Sequence, residues 1–354
     1  MRVVKRLRQN KPYITCYLFC VLPFLQLASS WTDKIHVERD GQNEIVGFTY
    51  WGGANEIENA FLEACRNCTL TNGISARLEG HELEPKEIQF LKKLKRIREL
   101  HLGDSPSGVR VSTSLVAAIG ELSDLQAVTI CSDVSRGTEY VELGNLKKLQ
   151  RLEFLGNSKL SAEDLDAISD LSNLQILGLR ISDECKSFDW LGNLKLLSEL
   201  RIYGRNRSGG NLAESLKKNL SLTSLELFGF TFSASDLTVL AKSHGGRITS
   251  LEIEIDEPEG VLSALLSFPN LKRLCITLPE NSKPDFSTMS RLQRIENLCV
   301  RGLSVESTRD LDWVKKHRSL QSVLFTNRFG NEVLAHVKGQ TKVPDQANEG
   351  VKDR

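Results

Sequence analysis

The chain has 354 residues, 40% of them hydrophobic, which is enough to bury a large core in one elongated domain or two globular ones. Its 46 basic and 45 acidic residues nearly cancel, so the sequence lacks the positive charge typical of proteins that bind nucleic acid. We therefore expect no nucleic-acid partner.

The first 30 residues have the composition of a secretory signal peptide. Five basic residues and no acidic residue occur in the first eleven, and the segment Tyr13–Ala28 carries no charge. The apolar run is shorter than the ~20 residues of a spanning helix and contains Pro23, which favours cleavage over an uncleaved anchor. We predict a signal peptide over residues 1–30. The mature chain from Trp31 is then secreted, periplasmic or part of the cell envelope, with no membrane span.

Residues 31–73 are predicted to form an N-terminal capping element, and a small separate domain is the alternative. The stretch NEIVGFTYWGG predicts a strand with Val46, Phe48 and Tyr50 on one face, because these positions alternate. The following stretch, ANEIENAFLEACRN, has the apolar spacing of one side of a helix.

A change of apolar period recurs along most of the remaining chain. In LGNLKKLQRLEFL the apolar residues come at steps of three and then at a step of two, which predicts a turn or helix followed by a strand. Eleven such units occur, and the steps between them run from 23 to 28 residues. The first residue of the final apolar pair is, in order, Ala76, Leu100, Val128, Leu152, Leu177, Leu200, Leu225, Leu251, Leu274, Leu298 and Val323.

This pattern resembles that of leucine-rich repeat proteins, whose unit reads L-x-x-L-x-L-x-x-N/C-x-L. The resemblance covers residues 74–339 and implies an α/β fold: a curved solenoid with a concave parallel sheet and with helices and irregular turns on the convex side. In L-x-L, the two apolar side chains point into the core and the residue between them points outward.

The chain departs from the repeat pattern at the position where the family has Asn, which is clearly present only as Asn157. We therefore expect a somewhat irregular arc with additional convex helix. Ser before acidic residues predicts helix starts in the segments Ser161–Leu171 and Ser233–Ser243. The stretch NEVLAHVKG is expected to close the last repeat. Residues 340–354 lack apolar spacing and are predicted to be a disordered tail.

Six of the eight cysteines follow the predicted signal peptide. Cys65 and Cys68 form a C-x-x-C pair at the end of a predicted helix, where the helix dipole disfavours a thiolate, so a structural bridge or two free thiols is favoured over a redox centre. Cys275 and Cys299 occupy the same strand position in successive repeats. They are a candidate disulfide, and two thiols side by side are the alternative, since parallel Cβ vectors hinder closure.

No catalytic motif is present in the sequence. None of the six histidines lies in H-E-x-x-H, and neither a G-x-S-x-G nor a phosphate-loop pattern occurs. We predict a non-enzymatic protein without a cofactor or a bound metal.

The repeat register also predicts which side chains face outward on the concave sheet. The register predicts that Tyr203 and Phe228 are neighbours near the middle of the arc. Aromatic and arginine side chains beside charged groups have the composition of an interaction hot spot. The alternative is an ordinary solvated sheet face on which Arg201 pairs with Glu226 across strands. The candidate partner-binding residues are Arg180, Arg201, Tyr203, Glu226, Phe228, Glu252 and Glu254.

Leucine-rich repeat proteins typically bind a protein or a peptide on this face. The resemblance therefore implies a non-enzymatic binding module whose partner is a protein or a peptide. Two other functions stay open on the sequence alone. One is a structural component of the cell envelope without a discrete ligand, and the other is an intracellular adaptor whose N-terminal segment is not a signal peptide.

Overall fold

The computed structural model describes residues 35–41, 44–50, 70–79, 88–90, 97–103, 110–132, 139–156, 160–279, 282, 284–302, 313–314, 317–327, 332–337 and 340–342. The predicted signal peptide, the predicted helix in the capping element with Cys65 and Cys68, and Asn157 lie outside these residues. Residues 343–354 of the predicted tail do so as well.

Within the described ranges, fifteen strands form one sheet in which strand order follows chain order. The strands are β1 Ile35–Arg39, β2 Ile45–Tyr50, β3 Leu70–Leu78, β4 Ile97–Leu102, β5 Ala127–Ser132, β6 Arg151–Gly156, β7 Ile176–Arg180, β8 Glu199–Ser208, β9 Ser224–Phe232, β10 Ser250–Ile255, β11 Arg273–Thr277, β12 Asn297–Arg301, β13 Ser322–Thr326, β14 Glu332–Val337 and β15 Gln340–Lys342. Strands β2 to β13 are parallel to one another. The pairs β1–β2, β13–β14 and β14–β15 are antiparallel.

The eleven strand positions that the sequence predicts form one continuous ladder. Ala76 pairs in register with Leu100, and the pairing continues from strand to strand as far as Leu298 and Val323. Every one of these side chains is buried, as is the second apolar residue of each pair. The prediction of a parallel sheet built from repeated units is therefore confirmed.

Helices and 3₁₀ turns connect the strands and cover the apolar face of the sheet. The α-helices are α1 Thr113–Gly120, α2 Ala162–Ser169, α3 Gly210–Leu216, α4 Ala234–His244 and α5 Pro258–Ala264. The 3₁₀ turns are Val141–Asn145, Asp189–Asn193, Leu265–Ser267 and Phe286–Arg291. In the part of the chain that the structure describes, no helix is long and apolar enough to cross a membrane.

Both predicted helix starts are confirmed by a reciprocal pair of hydrogen bonds. At α2, the Ser161 hydroxyl accepts from the Asp164 N–H at 3.2 Å, and the Asp164 carboxylate accepts from the Ser161 N–H at 2.9 Å. At α4, Ser233 and Asp236 make the same two bonds, at 3.2 and 3.0 Å. Each reciprocal pair of hydrogen bonds is a capping box, which satisfies backbone N–H groups that the first helical turn leaves without a partner.

A ladder of backbone hydrogen bonds just ahead of the strands joins successive repeats. The carbonyl of Gln126 accepts from the N–H groups of Gln150 and Arg151, at 2.7 and 3.0 Å. The carbonyl of Gln150 accepts in turn from Gln175 and Ile176 in the next repeat, at 2.8 and 2.9 Å. These bonds pair backbone groups from one repeat to the next.

Two buried polar side chains hold the layer of helices and turns together. The amide nitrogen of Asn219 donates to the carbonyls of Leu191 and Leu194, at 2.7 and 2.9 Å. The Nε2 atom of His244 lies 2.9 Å from the carbonyl oxygen of Leu216. Burial lowers the pKa of His244, so the neutral ring with its proton on Nε2 is the form that donates this bond.

The N-terminal end of the sheet differs in detail from the prediction. The predicted strand is present as β2, but a register shift between Ile45 and Gly47 buries Ile45 and leaves Val46 only half-buried. Strand β3 begins at Leu70, ahead of the predicted start of the solenoid at residue 74. Strands β1 and β2 thus extend the sheet directly.

At the C-terminal end, Glu332–Val337 lies next to the last repeat as β14. Gln340–Lys342 belongs to the segment predicted to be disordered, yet it forms β15 and pairs with β14. Apolar spacing was the wrong criterion for these three residues. Pairing with an edge strand satisfies backbone groups whatever the side chains are.

Candidate functional site

Side chains between the buried apolar pairs point to the side of the sheet opposite the helices, which we call the open face; the sequence predicts it to be concave. In the middle of the sheet, the outward residue Gly178 pairs with Arg201, and Arg201 pairs with Glu226. Glu226 is followed in register by Glu252. The sequence therefore predicts correctly the order of neighbours in this central row.

Tyr203 and Phe228 form an aromatic pair on neighbouring strands of the open face. Their ring centroids are 4.6 Å apart, and the ring planes lie within 2° of parallel. Both side chains are half-buried, so part of each ring is available to a partner. Arg180 of β7 is in register with Tyr203 and extends this row on the other side.

Arg201 lies at the centre of a group of carboxylates, which we call the Arg201 cluster and which comprises Arg201, Glu153, Glu199 and Glu226. Its Nη1 is 2.7 Å from Oε1 of Glu153, and its Nε is 3.0 Å from Oε2 of Glu226. A longer contact of 3.6 Å joins Nη2 to Glu199. The pairing with Glu226 that the sequence left as the alternative is therefore present, and the guanidinium of Arg201 is engaged within the sheet.

The Arg201 cluster contains three carboxylates and one guanidinium. Burial raises the pKa of Glu226, and the negative charge of Glu252 on the next strand raises it further, against the opposing effect of Arg201. The ionised form of Glu226 is thus incompletely compensated in the free protein. A cationic group placed above it gains electrostatic energy.

Glu252 and Glu254 both have partners within the sheet. Oε1 of Glu252 is 2.5 Å from Nη1 of Arg301, which lies two strands away on β12. The carboxylate of Glu254 accepts a hydrogen bond of 2.7 Å from the N–H of Gly229. The spacing of the repeats predicts Glu254 beside Phe228, two residues after the pair Glu252 and Glu226. This prediction is wrong, because the register shifts within β9 and Glu254 pairs with Thr231 instead.

The register shift has a local cause in the backbone of β9. Gly229 has φ +72°, a conformation that residues with a side chain rarely adopt. This bulge turns the Gly229 N–H toward Glu254. The hydrogen bond to Glu254 therefore stabilises the bulge that follows Phe228.

Cys275 and Cys299 are direct neighbours on β11 and β12. Both are half-buried free thiols, so the candidate disulfide is not formed in this structure. Side chains at paired positions of parallel strands point the same way, and this geometry keeps the two sulfur atoms side by side rather than bonded. Cys131 and Cys185 are buried thiols that are not joined in a disulfide.

Sequence reasoning did not select Glu153 and Arg301, and each forms an ion pair with a residue two strands away. The signal for Glu153 was present in the sequence, because Gly178 lies between Glu153 and Arg201 in the row and carries no side chain. For Arg301, no comparable signal exists. Within the described ranges, no group of three or more His, Cys, Asp or Glu side chains is arranged to hold a metal ion.

The architecture is decided by the ladder of buried residues from Ala76 to Val323, which repeats one strand per unit. The chain has the fold of a leucine-rich repeat solenoid. No family model matches the sequence of this solenoid, and no curated protein is detectably related to it.

Three solved structures illustrate the likeness of the solenoid to known proteins. An internalin from Listeria monocytogenes is 16% identical, with 80% of this chain and 85% of that chain covered and a TM-score of 0.46. A leucine-rich repeat protein from Leptospira interrogans is 14% identical, with 78% and 75% covered and a TM-score of 0.42. The ectodomain of the Arabidopsis thaliana receptor kinase GASSHO1/SCHENGEN3 is 16% identical, with 72% and 30% covered and a TM-score of 0.42.

Proposed function

We propose that the solenoid is a non-enzymatic binding module that takes a protein or peptide partner on its open face. The observation that carries this proposal is the aromatic pair, Tyr203 and Phe228, stacked at 4.6 Å and half-exposed in the middle of the sheet. Aromatic side chains offer a large contact area and lose little conformational entropy when they are covered. Their stacking fixes both rings before a partner arrives, which reduces the entropic cost of binding.

The Arg201 cluster supplies the charge beside this apolar area. Arg201 is already paired with Glu153 and Glu226. It therefore positions these carboxylates and partly neutralises their charge, and it does not offer a free hydrogen-bond donor to the partner. The excess of carboxylates, with Glu252 on the next strand, favours a partner that brings a Lys or Arg side chain to this point. The partner we expect therefore combines an apolar or aromatic contact with a basic residue.

The proposed location is outside the cytoplasm, either secreted, periplasmic or in the cell envelope. Its support is the order of basic, apolar and small residues within residues 1–30. N-terminal sequencing of the native protein should begin at or near Trp31. Recovery of the basic cluster around Arg6 in the native protein would instead support the intracellular adaptor.

The binding proposal is tested by affinity capture of partners from the native compartment, followed by measurement of the affinity of the captured protein. The double variant Tyr203→Ala with Phe228→Ala should weaken binding ~100-fold or more. The matched control is Leu196→Ala with Leu220→Ala, which removes two exposed apolar side chains, 47% and 57% accessible, from turns outside the open face. Circular dichroism should show that each variant keeps its fold.

A second pair of variants tests the charge. Reversal to Lys at Glu226 and Glu252 should weaken binding, and raised salt should reduce the difference from the wild type. Reversal at the exposed helical residues Glu163 and Glu214 changes the net charge equally and should have no effect. Full binding by both the aromatic and the charge variants would refute the open face as the interface.

A structural component of the cell envelope without a discrete ligand is distinguished by fractionation. A soluble binding module should leave the envelope fraction after a salt wash. Retention in that fraction, with no partner captured, would favour the structural component.

A further inference from the structure

The turns that lead into strands β8 to β13 lie along one edge of the solenoid, because these strands are parallel. Backbone hydrogen bonds join each turn to the next; the N–H of Thr223, for example, donates to the carbonyl of Ser198 at 2.9 Å. We call this surface the basic edge. It comprises residues 192–198, 217–223, 245–249, 268–272, 291–296 and 317–321.

The basic edge has a positive charge that the chain as a whole lacks. It contains eight basic residues and one acidic residue, Glu296, whereas 46 basic and 45 acidic residues nearly cancel over the whole sequence. All eight basic side chains are exposed. Within the described ranges, two of them form ion pairs, Lys217 with Glu214 and Lys272 with Glu296. Most of the positive charge at this edge is therefore available to an anionic partner.

Two exposed leucines lie among these basic residues. Leu196 is 47% exposed and Leu220 is 57% exposed, and they come from neighbouring turns. The Ser221 hydroxyl donates a hydrogen bond of 3.1 Å to the carbonyl of Lys195, and the amide of the buried Asn219 donates to two carbonyls of the preceding repeat. Because these bonds come from the residues on either side of Leu220, they hold its turn against the turn of Leu196. The two turns thus present their apolar side chains together.

Two lysine side chains of the same turns meet at Gly192. The ammonium group of Lys195 donates to the Gly192 carbonyl. The side chain of Lys218 lies over Gly192, since a Cβ atom added there would be 3.0 Å from Cδ and 3.9 Å from Nζ of Lys218. Two like charges near one residue repel each other, and an anion bound beside them removes part of this repulsion. Lys195 and Lys218 thus place positive charge next to the leucines.

We infer that the basic edge docks the solenoid on a membrane whose surface carries anionic phospholipids. Leu196 and Leu220 enter the layer below the headgroups, and Lys195 and Lys218 extend along the apolar surface with their ammonium groups at the phosphates. Apolar side chains flanked by Lys and Arg are the composition by which proteins bind the interface of an anionic bilayer. The basic residues of the later turns continue the contact along the membrane surface.

The leucines decide between a bilayer and a soluble polyanion. A nucleic acid or an acidic polysaccharide would use the positive charge of the edge, but it offers no apolar layer into which Leu196 and Leu220 can insert. The basic edge and the open face are different surfaces of the solenoid, so the membrane contact does not depend on the proposed protein-binding function. Docking by this edge leaves the open face free for a protein partner.

The test is co-sedimentation with vesicles, one set made of equal parts of phosphatidylcholine and phosphatidylglycerol and the other of phosphatidylcholine alone. The full chain is produced in its native host, so that residues 1–30 are processed as in the cell and are the same in every variant. The protein should bind the anionic vesicles ~10-fold or more tightly than the neutral ones, and raised salt should weaken the binding.

The charge is tested by reversal of the two lysines beside the leucines. Lys195→Glu with Lys218→Glu should weaken binding to the anionic vesicles ~10-fold or more. The matched control is Lys186→Glu with Lys242→Glu, which changes the net charge equally at exposed residues outside the basic edge. Its binding should stay within ~3-fold of the wild type, because salt screens charges that do not contact the membrane.

The apolar contact is tested at unchanged charge. Leu196→Ala with Leu220→Ala should weaken binding to the anionic vesicles ~10-fold or more, because apolar area is lost from the contact. Val141→Ala, which shortens a side chain that is 42% exposed outside the basic edge, should bind as the wild type. Binding of the protein partner is measured without lipid, and the leucine variant should keep it. The membrane proposal and the protein-binding proposal therefore fail separately.

Hydrogen exchange on the wild type locates the contact independently of any variant. The amides of residues 217–223 should exchange more slowly once anionic vesicles are added, whereas those of α2 should not change. Circular dichroism should confirm that the variants fold. Three results would each overturn the inference: equal binding to anionic and neutral vesicles, full binding to anionic vesicles by the leucine variant, or unchanged exchange at residues 217–223. The second result would instead favour a soluble polyanion as the ligand of the basic edge.

Discussion

Arg201 and Glu153 form an ion pair across an intervening strand, with 2.7 Å between Nη1 and Oε1. Gly178 lies between them in the register of the sheet. A Cβ atom at Gly178 would lie 3.5 Å from Cγ of Glu153, which is an ordinary van der Waals contact. A methyl group therefore fits at this position, whereas a long side chain would occupy the path of the guanidinium.

The first prediction concerns this bridge. A double-mutant cycle with Arg201→Gln and Glu153→Gln should give a coupling energy of ~0.5–1 kcal/mol in the wild type, because both side chains are partly exposed. The same cycle in a Gly178→Leu background should give a coupling near zero, and Gly178→Ala should retain it. The free energies come from urea unfolding. An unchanged coupling energy in the Gly178→Leu background would contradict the proposal that the Arg201 side chain reaches Glu153 by passing over Gly178.

The second prediction tests the core of the repeats. Leu177 is fully buried in the ladder, so Leu177→Ala should lower the free energy of unfolding by ~2–5 kcal/mol through lost burial and a cavity. The control is Gln175→Ala in the same repeat. Its side chain is exposed, and its replacement should change stability by less than ~0.5 kcal/mol. Equal losses from the two variants would refute the register.

The third prediction concerns the bulge in β9. Gly229→Ala should cost ~1–3 kcal/mol, because the residue has a positive φ. The added Cβ would also come within 2.5 Å of the carbonyl oxygen of Gly204. Gly246→Ala is the matched control, since no atom lies within 4 Å of the position of its Cβ. Chemical denaturation should show a loss for the first variant and little change for the second.

The fourth prediction is a pH dependence that arises at His244. Burial lowers its pKa below the ordinary value of 6.5, so the unfolded chain binds more protons than the folded chain between the lowered value and 6.5. The free energy of unfolding should therefore fall as the pH drops through this window. His244→Gln should show a shallower fall between about pH 7 and about pH 5. His36→Gln, at an exposed position, should keep the slope of the wild type; an unchanged slope in His244→Gln would contradict the assignment.

The repeats could be predicted from the sequence because their signal is periodic. The positions of Leu177 and Leu200 follow from alternation along a strand, and the pairing of neighbouring units then fixes which outward residues are adjacent. The helix starts at Ser161 and Ser233 were predictable as well, because a capping box is a local pattern. Each of these predictions uses only the order of residues within one or two repeats.

The candidate site was only partly predictable, because its contacts depend on geometry that alternation does not encode. The pairing of adjacent strands predicts the ion pair between Arg201 and Glu226. It does not predict ion pairs between residues two strands apart, such as Arg301 and Glu252. The pairing of Glu254 depends on the positive φ of Gly229, which moves the register after Phe228 out of the expected row. A periodic pattern of apolar residues does not show that one glycine adopts a positive φ.

The change from parallel to antiparallel pairing at both ends of the sheet, between β1 and β2 and between β13 and β14, has a consequence for how such a chain can evolve. Interior units all present the same strand direction, so duplication or loss of one unit between β2 and β13 leaves every junction of the same kind. The antiparallel end strands do not follow that rule. A change of whole repeats in the interior would therefore alter the length of the open face and leave the antiparallel junctions at the two ends as they are.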